Sequence, residues 1–268
     1  MIREIEKVLD PLGYTMLVVS SYNDGEKEKQ CLQIMTEKQV DGLIISSTGE
    51  NEGVLMEMEK KGIPVVLLDR KPLQYDFNAV YMDKGEIIDR AVCKLFQEGH
   101  KRIGIVMGAK KLQTSRERLD GYINAHKKHG IVVREDYIMY GEYTRDFGQK
   151  AVREWSRLAE RPTAAVLIGV NIAGGFLVEL DRQNCLVPED FSVISYGQIE
   201  FSELFSTNLT YIDSMYHEIG GYAGKLMQKR LVEKDSMGER IVLKGKIIDG
   251  DSVRRVQQKS NGVKEVRV

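Results

Sequence analysis

The sequence predicts an α/β protein with mainly parallel sheets, and three observations support this prediction. The chain has 268 residues, of which 42% are hydrophobic, and this is enough for one large domain or two modest ones. Short apolar runs rich in branched residues recur along it, and most are separated by stretches with helical periodicity. Parallel strands need such a crossover to return the chain, so the alternation predicts sheets covered on both faces.

The apolar runs have the length of buried strands. They cover residues 15–19, 43–45, 65–68, 103–107, 164–168 and 191–196. One helix is well marked, because Asp83 is a suitable N-cap, Glu86 completes a capping box and Gly99 provides the stop. Its apolar stripe consists of Ile87, Ile88, Ala91, Val92, Leu95 and Phe96.

A second helix is predicted over about 214–231, and weaker helical patterns cover 115–129 and 172–183. The residues that the second helix should turn inward are Ile219, Tyr222, Ala223, Leu226 and Met227. The units form two sets, one ending near Gly99 and one running from Lys101 to Tyr211, with no Pro-, Gly- or Ser-rich linker between them. We therefore expect two lobes joined by short crossings.

Composition excludes several classes of protein. The chain has 39 Lys and Arg against 40 Asp and Glu, so it offers no excess positive field for binding nucleic-acid phosphates. The basic tail over 257–268 is predicted to be frayed, and a nucleic-acid role for its basic residues is the less favoured alternative. The first ten residues lack the apolar core of a signal peptide, and no window of about 18 uncharged apolar residues predicts a membrane-spanning helix.

The cysteines and histidines give no chemical site. Three cysteines lie far apart in an odd count, which fits neither a metal cluster nor a disulfide framework and favours a reducing compartment, so we expect a cytoplasmic protein. The four histidines lack the zincin spacing and none neighbours a cysteine. We expect no catalytic residue, metal or cofactor, and we expect His126 and His129 to be solvated on one helix face.

Two charged residues are candidates for ligand binding. Asp69, followed by Arg70, ends a buried strand, and the carboxyl ends of parallel strands are where open α/β sheets bind ligands. A structural ion pair is an equally good interpretation of Asp69. Arg118 begins a helix beyond the strand that ends at Met107, so its guanidinium can donate paired hydrogen bonds to hydroxyls or a carboxylate. A surface salt bridge is the alternative for Arg118.

Several segments together are recognisable. They are Val40–Ile45, Gly62–Val66, Asp83–Val106 with Gly99-His-Lys-Arg-Ile103, Arg118-Leu-Asp-Gly-Tyr122, Arg161–Ala165 and Val187-Pro-Glu-Asp190 with the following Phe-Ser-Val193. In this order they resemble the effector-sensing core of LacI/GalR-family transcriptional repressors. Any one segment is a weak signal, but the set is specific and covers about residues 1–256.

The resemblance implies a periplasmic-binding-protein-like core of type I, with two Rossmann-like lobes of parallel sheets joined by three crossings. A small molecule, commonly a sugar or sugar derivative, would lie in the cleft, and the protein would form a homodimer. The helix over 214–231 would return to the first lobe and the strand near 241–248 would belong to the second. The implied lobes are 1–100 plus 212–239 and 101–211 plus 240–256, followed by the tail 257–268.

The start of the chain departs from the family pattern. Family members carry a helix-turn-helix headpiece and a hinge helix upstream of the core, so operator DNA would be bound only through a headpiece absent here. The first core strand is absent too, since Met1–Glu6 aligns with the helix after it. We expect the sequence to be a fragment or to have a misplaced start. Coding sequence for a strand and a headpiece immediately upstream would confirm this expectation, and a stop codon there would contradict it.

The cleft also departs from the family pattern. Asn171-Ile172 stands where the family usually shows Asn-Asp, and Tyr196-Gly197-Gln198 stands where it usually shows an aromatic residue followed by aspartate. Two carboxylates are therefore missing, although the amide of Gln198 partly replaces one as an acceptor. With Arg118 present, we expect an effector that bears a carboxylate or phosphate. Lys110, Lys111 and Arg116 would add positive charge, unless they face water.

Two aromatic residues fall where the family places a loop that stacks on a sugar ring. They are Tyr143 and Phe147, and a core-capping role is the alternative for both. The resulting hypothesis is the ligand-sensing, dimer-forming core of a carbohydrate-responsive repressor, in which the effector shifts an equilibrium between open and closed forms. A solute-binding protein of the same fold is the second hypothesis. An enzyme is the third, and it would need a nucleophile or metal site that the sequence does not supply.

Overall fold

A computed structural model describes residues 1–199, 207–233 and 237–256 of the chain. They divide into two compact units that are each discontinuous in sequence. The first unit comprises Met1–Lys84, Lys111–Arg116 and Ser214–Gly245, and the second comprises Gly85–Lys110, Glu117–Asp213 and the chain from Lys246. Within the described ranges, no helix combines the length and the apolar character needed to cross a bilayer.

The first unit is built on a parallel sheet whose strands lie in the order β1-β2-β3-β9. These strands are β1 (Leu43–Ile45), β2 (Val65–Leu68), β3 (Asn78–Met82) and β9 (Arg240–Leu243). Its helices are α1 (Ile2–Leu9), α2 (Gly25–Glu37), α3 (Glu52–Lys60) and α8 (Tyr216–Gln228). Apolar side chains of α2 and α3, including Leu32 and Leu55, pack with Val65, Leu67 and Ala79 of the sheet to form one core.

The second unit is built on a larger sheet with the order β10-β8-β7-β6-β4-β5, in which only β10 is antiparallel to its neighbour. Its strands are β4 (Ile103–Met107), β5 (Ile138–Tyr140), β6 (Ala164–Ile168), β7 (Ser192–Tyr196), β8 (Thr210–Asp213) and β10 (Lys246–Ile248). Its helices are α4 (Lys84–Gln97), α5 (Gln113–Lys128), α6 (Arg145–Ser156) and α7 (Val170–Arg182). The first residues of α4 and α5 fall in the first unit.

The α/β class and the parallel sheets predicted from the sequence are confirmed. Strands occur at 43–45, 65–68, 103–107 and 164–168 as predicted, and the run at 191–196 forms a strand from Ser192. The central strands β4, β6 and β7 are buried at every residue, because helices cover both faces of a parallel sheet. The pattern of apolar runs did not predict β3, β5 and β8, because these strands contain polar residues or are very short.

The predicted strand at 15–19 is wrong. These residues form no strand, and Leu17, Val18 and Val19 are about half exposed. A strand needs a hydrogen-bonded neighbour, and in the described part of the chain β1 pairs with β2 alone. A cavity of about 350 Å³ is lined by residues of both segments, including Met16 and Ile44. The run at 15–19 has the composition of a strand, but no described strand forms hydrogen bonds with it.

The two units differ from the predicted lobes at several boundaries, since residues 85–100 lie in the second unit and residues 111–116 and 240–245 lie in the first. Residues 85–97 of α4 belong to the second unit, because α4 packs against α5 so closely that a Cβ atom on Gly121 would lie 2.1 Å from the carbonyl oxygen of Gly85. Residues 240–245 belong to the first unit, because β9 pairs in parallel with β3. The single strand expected near 241–248 is thus two strands, β9 and β10, and of these two only β10, which pairs with β8, lies in the second unit as expected.

The structure also tests the predicted inward face of α8 and the predicted exposure of two histidines, whereas the predicted tail is not described. Tyr222 in α8 is 40% exposed, so its predicted inward orientation is wrong, although Ile219, Ala223, Leu226 and Met227 are buried. His126 is buried against Phe96 and Tyr122, with Nδ1 2.8 Å from the carbonyl oxygen of Tyr122, so the expectation of a solvated side chain is wrong for it. His129 is exposed as expected. The tail over 257–268 lies outside the described residues.

Burial changes the titration of two histidines in the second unit. Loss of solvation lowers the pKa of His126 and the pKa of His100, whose Nδ1 lies 2.9 Å from Oγ1 of Thr163. Both rings therefore stay neutral in the folded protein at pH values where an unfolded histidine, with a pKa of about 6.5, binds a proton. The folded second unit is disfavoured when the solution becomes acidic.

We expect the free energy of unfolding to fall as pH is lowered from about 7.5 to about 5.5, through the pKa of unfolded histidine near 6.5. The unfolded chain gains protons in this range that His100 and His126 cannot accept when folded. Urea titrations at a series of pH values measure the effect. His126→Gln should flatten the pH dependence, whereas Asn124→Gln, a substitution of an exposed residue on the same helix that removes no titratable group, should preserve it. An equal slope in the two variants would contradict the prediction.

Two helices of the second unit approach each other through glycines. A Cβ atom on Gly175 of α7 would lie 2.0 Å from the carbonyl oxygen of Arg145, and one on Gly148 of α6 would lie 2.1 Å from that of Ile172. The adjacent Gly174 has no atom closer than 3.8 Å to its Cβ position. The close approach of α6 and α7 therefore depends on Gly148 and Gly175, and not on Gly174.

Gly175→Ala should lower the free energy of unfolding by about 1–3 kcal/mol, the usual effect of overpacking a well-packed interior. Gly174→Ala is the matched control, and it should be neutral or slightly stabilising because alanine favours a helix. Urea unfolding of the two variants gives the comparison. Equal stability of both would show that the helices separate without penalty.

Candidate functional site

The carboxyl ends of β4, β6 and β7 lie side by side in the second unit. Each strand is followed by a glycine, Gly108, Gly169 or Gly197, and ligands of open α/β sheets bind at this edge. Gly169 and Gly197 have φ angles of 115° and 94°, a region that favours glycine because it has no Cβ atom. These three positions therefore place no side chain of their own at this edge of the sheet.

Arg118 is held at this edge by two aromatic side chains. It lies in the second turn of α5 and is only 6% exposed. Its Nη1 atom donates a hydrogen bond of 3.1 Å to Oη of Tyr143, and its Cζ atom lies 4.9 Å from the ring centroid of Tyr196. An aromatic face attracts a guanidinium group electrostatically. The planar donor fork is therefore fixed in position and keeps its charge at any physiological pH.

Tyr143 and Asn171 complete the cluster. The Tyr143 ring lies against the glycines that follow β4 and β6, because a Cβ atom on Gly108 would come within 2.6 Å of three of its atoms and one on Gly169 within 3.2 Å of Cδ1. Asn171, in the first turn of α7, donates a hydrogen bond of 3.4 Å from Nδ2 to the carbonyl oxygen of Tyr143. We refer to Arg118, Tyr143, Asn171 and Tyr196 as the arginine site.

Three of the six predicted site residues, Arg118, Tyr143 and Asn171, therefore lie together. Gln198 follows Gly197 and is exposed. Phe147 is half buried and packs against the core of the second unit and against Gly141, an arrangement that favours its core-capping interpretation. The three additional positive residues, Lys110, Lys111 and Arg116, are exposed, so Arg118 is the cation that is built into the site.

Asp69 lies in the first unit, at the end of β2, with a φ angle of 57°. Its Oδ1 and carbonyl oxygen accept hydrogen bonds of 2.9 and 2.6 Å from Nζ of Lys84, which is buried. The neighbouring Arg70 donates to Oδ1 of Asn23. A buried lysine requires such compensation, and these contacts favour the structural ion pair as the role of Asp69.

The first unit also contains a buried carboxylate that the sequence analysis missed. Glu28 is 1% exposed and accepts hydrogen bonds of 2.6–3.1 Å from Ser47, Thr48 and Asn51. These donors satisfy the buried charge, and they hold the loop after β1 against α2. A single glutamate in a charged helix gives no sequence signal of this kind.

Tyr196 is the residue of the arginine site that sequence reasoning did not select. It was considered only as the aromatic position before Gly197, although an aromatic face near an arginine attracts its guanidinium group. Among the described residues, no group of three His, Cys, Asp or Glu side chains is placed to hold a metal ion. The arginine site offers hydrogen-bond donors, aromatic faces and one fixed positive charge.

Comparison with known proteins identifies the class to which this fold and site belong. Residues 92–253 match the periplasmic binding protein-like domain family. The chain is 30% identical over 257 residues to the HTH-type transcriptional repressor PurR of Klebsiella pneumoniae strain 342, covering 94% of this chain and 74% of that protein.

Solved structures agree with this assignment. A LacI transcriptional regulator from Bacillus cereus subsp. cytotoxis NVH 391-98 superposes with a TM-score of 0.86 at 25% identity, covering 96% of this chain and 91% of that chain. The transcription regulator CcpA of Lactococcus lactis superposes with a TM-score of 0.82 at 26% identity, covering 94% and 92%. The chain therefore belongs to the LacI family of transcriptional repressors, and it contains the periplasmic-binding-protein-like core in which that family binds its small-molecule effectors.

Proposed function

We propose that this chain senses a small carbohydrate-derived effector that carries a carboxylate or phosphate, and that the arginine site binds the acidic group. The observation that carries the proposal is the buried guanidinium of Arg118, fixed between Tyr196 and Tyr143. Charge-assisted hydrogen bonds from an arginine to a carboxylate or phosphate are about twice as strong as neutral ones. A rigid, partly desolvated donor fork therefore favours an acid over a neutral hydroxyl group.

The presence of Gly197 in place of an aspartate supports an acidic effector. Its φ angle is 94°, and a Cβ atom there would lie 3.0 Å from Cγ1 of Val170. An aspartate in this position, as in the family pattern, would be strained and would add a negative charge next to Tyr196. A glycine adds no carboxylate at position 197 that would compete with an acidic effector for Arg118.

In this proposal the chain acts as a switch and not as a catalyst. A bound effector shifts the equilibrium between conformations by its difference in affinity for them, and the readout in this proposal is a change in operator binding. Its relatives are transcriptional regulators, so the repressor core is preferred to the solute-binding protein as the function. Dimerisation and the cytoplasmic location remain predictions.

A thermal-shift panel tests the effector class. Ligands that bind only the folded chain raise its stability, by about 2.7 kcal/mol at a concentration of 100 times the Kd. We expect gluconate or ribose 5-phosphate to raise the Tm more than glucose or ribose. Arg118→Gln should weaken acid binding about tenfold or more, as expected for the loss of a charged hydrogen bond. The control Arg157→Gln removes an exposed charge from the same unit and should bind like the wild type.

A neutral sugar that stabilises the chain more than its own acid and phosphate would contradict the acidic effector. Equal binding by Arg118→Gln and Arg157→Gln would contradict the site. Incubation with the same compounds should give no turnover, and product formation would restore the enzyme hypothesis.

Substitution of Gly197 tests the electrostatic argument separately. Gly197→Asp and Gly197→Asn should both lower the free energy of unfolding by about 1–3 kcal/mol, the usual cost of a strained backbone conformation. Only Gly197→Asp should also weaken binding of gluconate or ribose 5-phosphate beyond the effect seen in Gly197→Asn, because only it adds a negative charge. Urea unfolding and calorimetric titration of both variants provide the two measurements. Equal affinities in the two variants would show that charge at this position does not affect the effector.

A further inference from the structure

The Tyr143 side chain occupies the notch that the glycines after β4 and β6 leave open. An ideal Cβ atom on Gly108 would lie 2.3 Å from Oη of Tyr143, so no larger residue fits there with the ring in place. The ring thus lies at the carboxyl edge of the sheet, where open α/β sheets bind their ligands. Tyr143 is nevertheless 37% exposed, so one side of the ring faces solvent.

The hydroxyl group of Tyr143 makes the contact that an acidic ligand would make. Its oxygen accepts the hydrogen bond of 3.1 Å from Nη1 of Arg118. A carboxylate or phosphate oxygen is a stronger acceptor for a guanidinium than a phenol oxygen, so an acidic ligand can replace the hydroxyl. A ligand that binds Nη1 in the same direction must first displace Tyr143.

The backbone at Tyr143 is held independently of its side chain. Asn171 donates to the carbonyl oxygen of Tyr143, and the next residue, Thr144, caps α6 by accepting from the backbone nitrogen of Phe147. A rotation about the side-chain torsions of Tyr143 therefore leaves both backbone contacts intact. The ring can leave its notch while the segment that carries it stays in position.

We propose that Tyr143 is a built-in competitor for the effector, with its hydroxyl occupying Arg118 and its ring filling the notch until a ligand displaces both. This inference rests on the proposed function of the arginine site. The competitor reduces the apparent affinity of every ligand that needs Arg118 by one common factor, the fraction of molecules in which the site is open. Tyr143 thus sets the concentration at which the chain responds, without setting which acid it prefers.

Two substitutions displace the competitor by independent routes. Tyr143→Phe removes the hydroxyl acceptor and keeps the ring, and Gly108→Ala keeps the hydroxyl and pushes the ring out of the notch. The matched control is Tyr222→Phe, which removes a hydroxyl from an exposed tyrosine of α8 in the first unit. The probes are inorganic phosphate and ribose 5-phosphate, titrated calorimetrically into each full-length variant.

We expect Tyr143→Phe to bind both probes about twofold to tenfold more tightly than the wild type, which is the size of one net hydrogen bond. The gain in affinity should be the same for the two probes, because displacing Tyr143 costs the same free energy whichever ligand binds. Gly108→Ala should also bind more tightly, and Tyr222→Phe should match the wild type. If Gly108→Ala does not fold, Tyr143→Phe alone decides the outcome.

Unchanged or weaker binding of the probes by Tyr143→Phe would contradict the proposal that Tyr143 competes with the effector. A gain in affinity that differs between the two probes would also contradict it, because such a difference is expected when Tyr143 contacts the ligand directly. Arg118→Gln separates this inference from the function on which it rests. If the wild type binds the probes through Arg118 and Tyr143→Phe is no tighter, the competitor alone is wrong. If neither probe binds the wild type, Tyr143→Phe or Gly108→Ala, the proposed function fails as well.

Discussion

The second unit is organised around one constraint, which is that a buried guanidinium cannot lose its charge. Arg118 is 6% exposed, and a charge removed from water needs compensation from its surroundings. Here the ring of Tyr196 and the hydroxyl of Tyr143 provide part of it, and both come from the carboxyl side of the sheet. The glycines after β4 and β6, Gly108 and Gly169, leave room for the ring of Tyr143. A positively charged site is thus a consequence of how the strands end.

Sequence patterns predicted the fold where burial is complete and failed where pairing decides. The central strands β4, β6 and β7 are mainly apolar and buried at every residue, since both faces are covered. The run at 15–19 is also mainly apolar but forms no strand, because a strand depends on a neighbour as well as on its own residues. The predicted lobe boundary near residue 240 failed for the same reason. Only the pairing of β9 with β3 reveals that residues 240–245 belong to the first unit.

The sequence predicted those site residues whose location depends only on their position along a strand or helix. Arg118 lies in the second turn of the helix that follows β4, and its place near the end of that strand could be predicted. Tyr143 could be placed near it only through the resemblance to the LacI family. The contact with Tyr196 depends on the order of β4, β6 and β7 in the sheet, which no local pattern encodes. The separation of Phe147, a core residue, from Tyr143, a site residue, depends likewise on packing against Gly141 and Gly108.

The free edge of β1 has a consequence for how this chain behaves in concentrated solution. Among the described residues β1 pairs only with β2, and its residues line a cavity of about 350 Å³ together with the half-exposed Leu17, Val18 and Val19. Edges of this kind act as templates on which extended polypeptides add, which is why most proteins cover or charge them. Self-association of the isolated chain is therefore expected to begin at β1, and a short extended peptide bound in this cavity would suppress it.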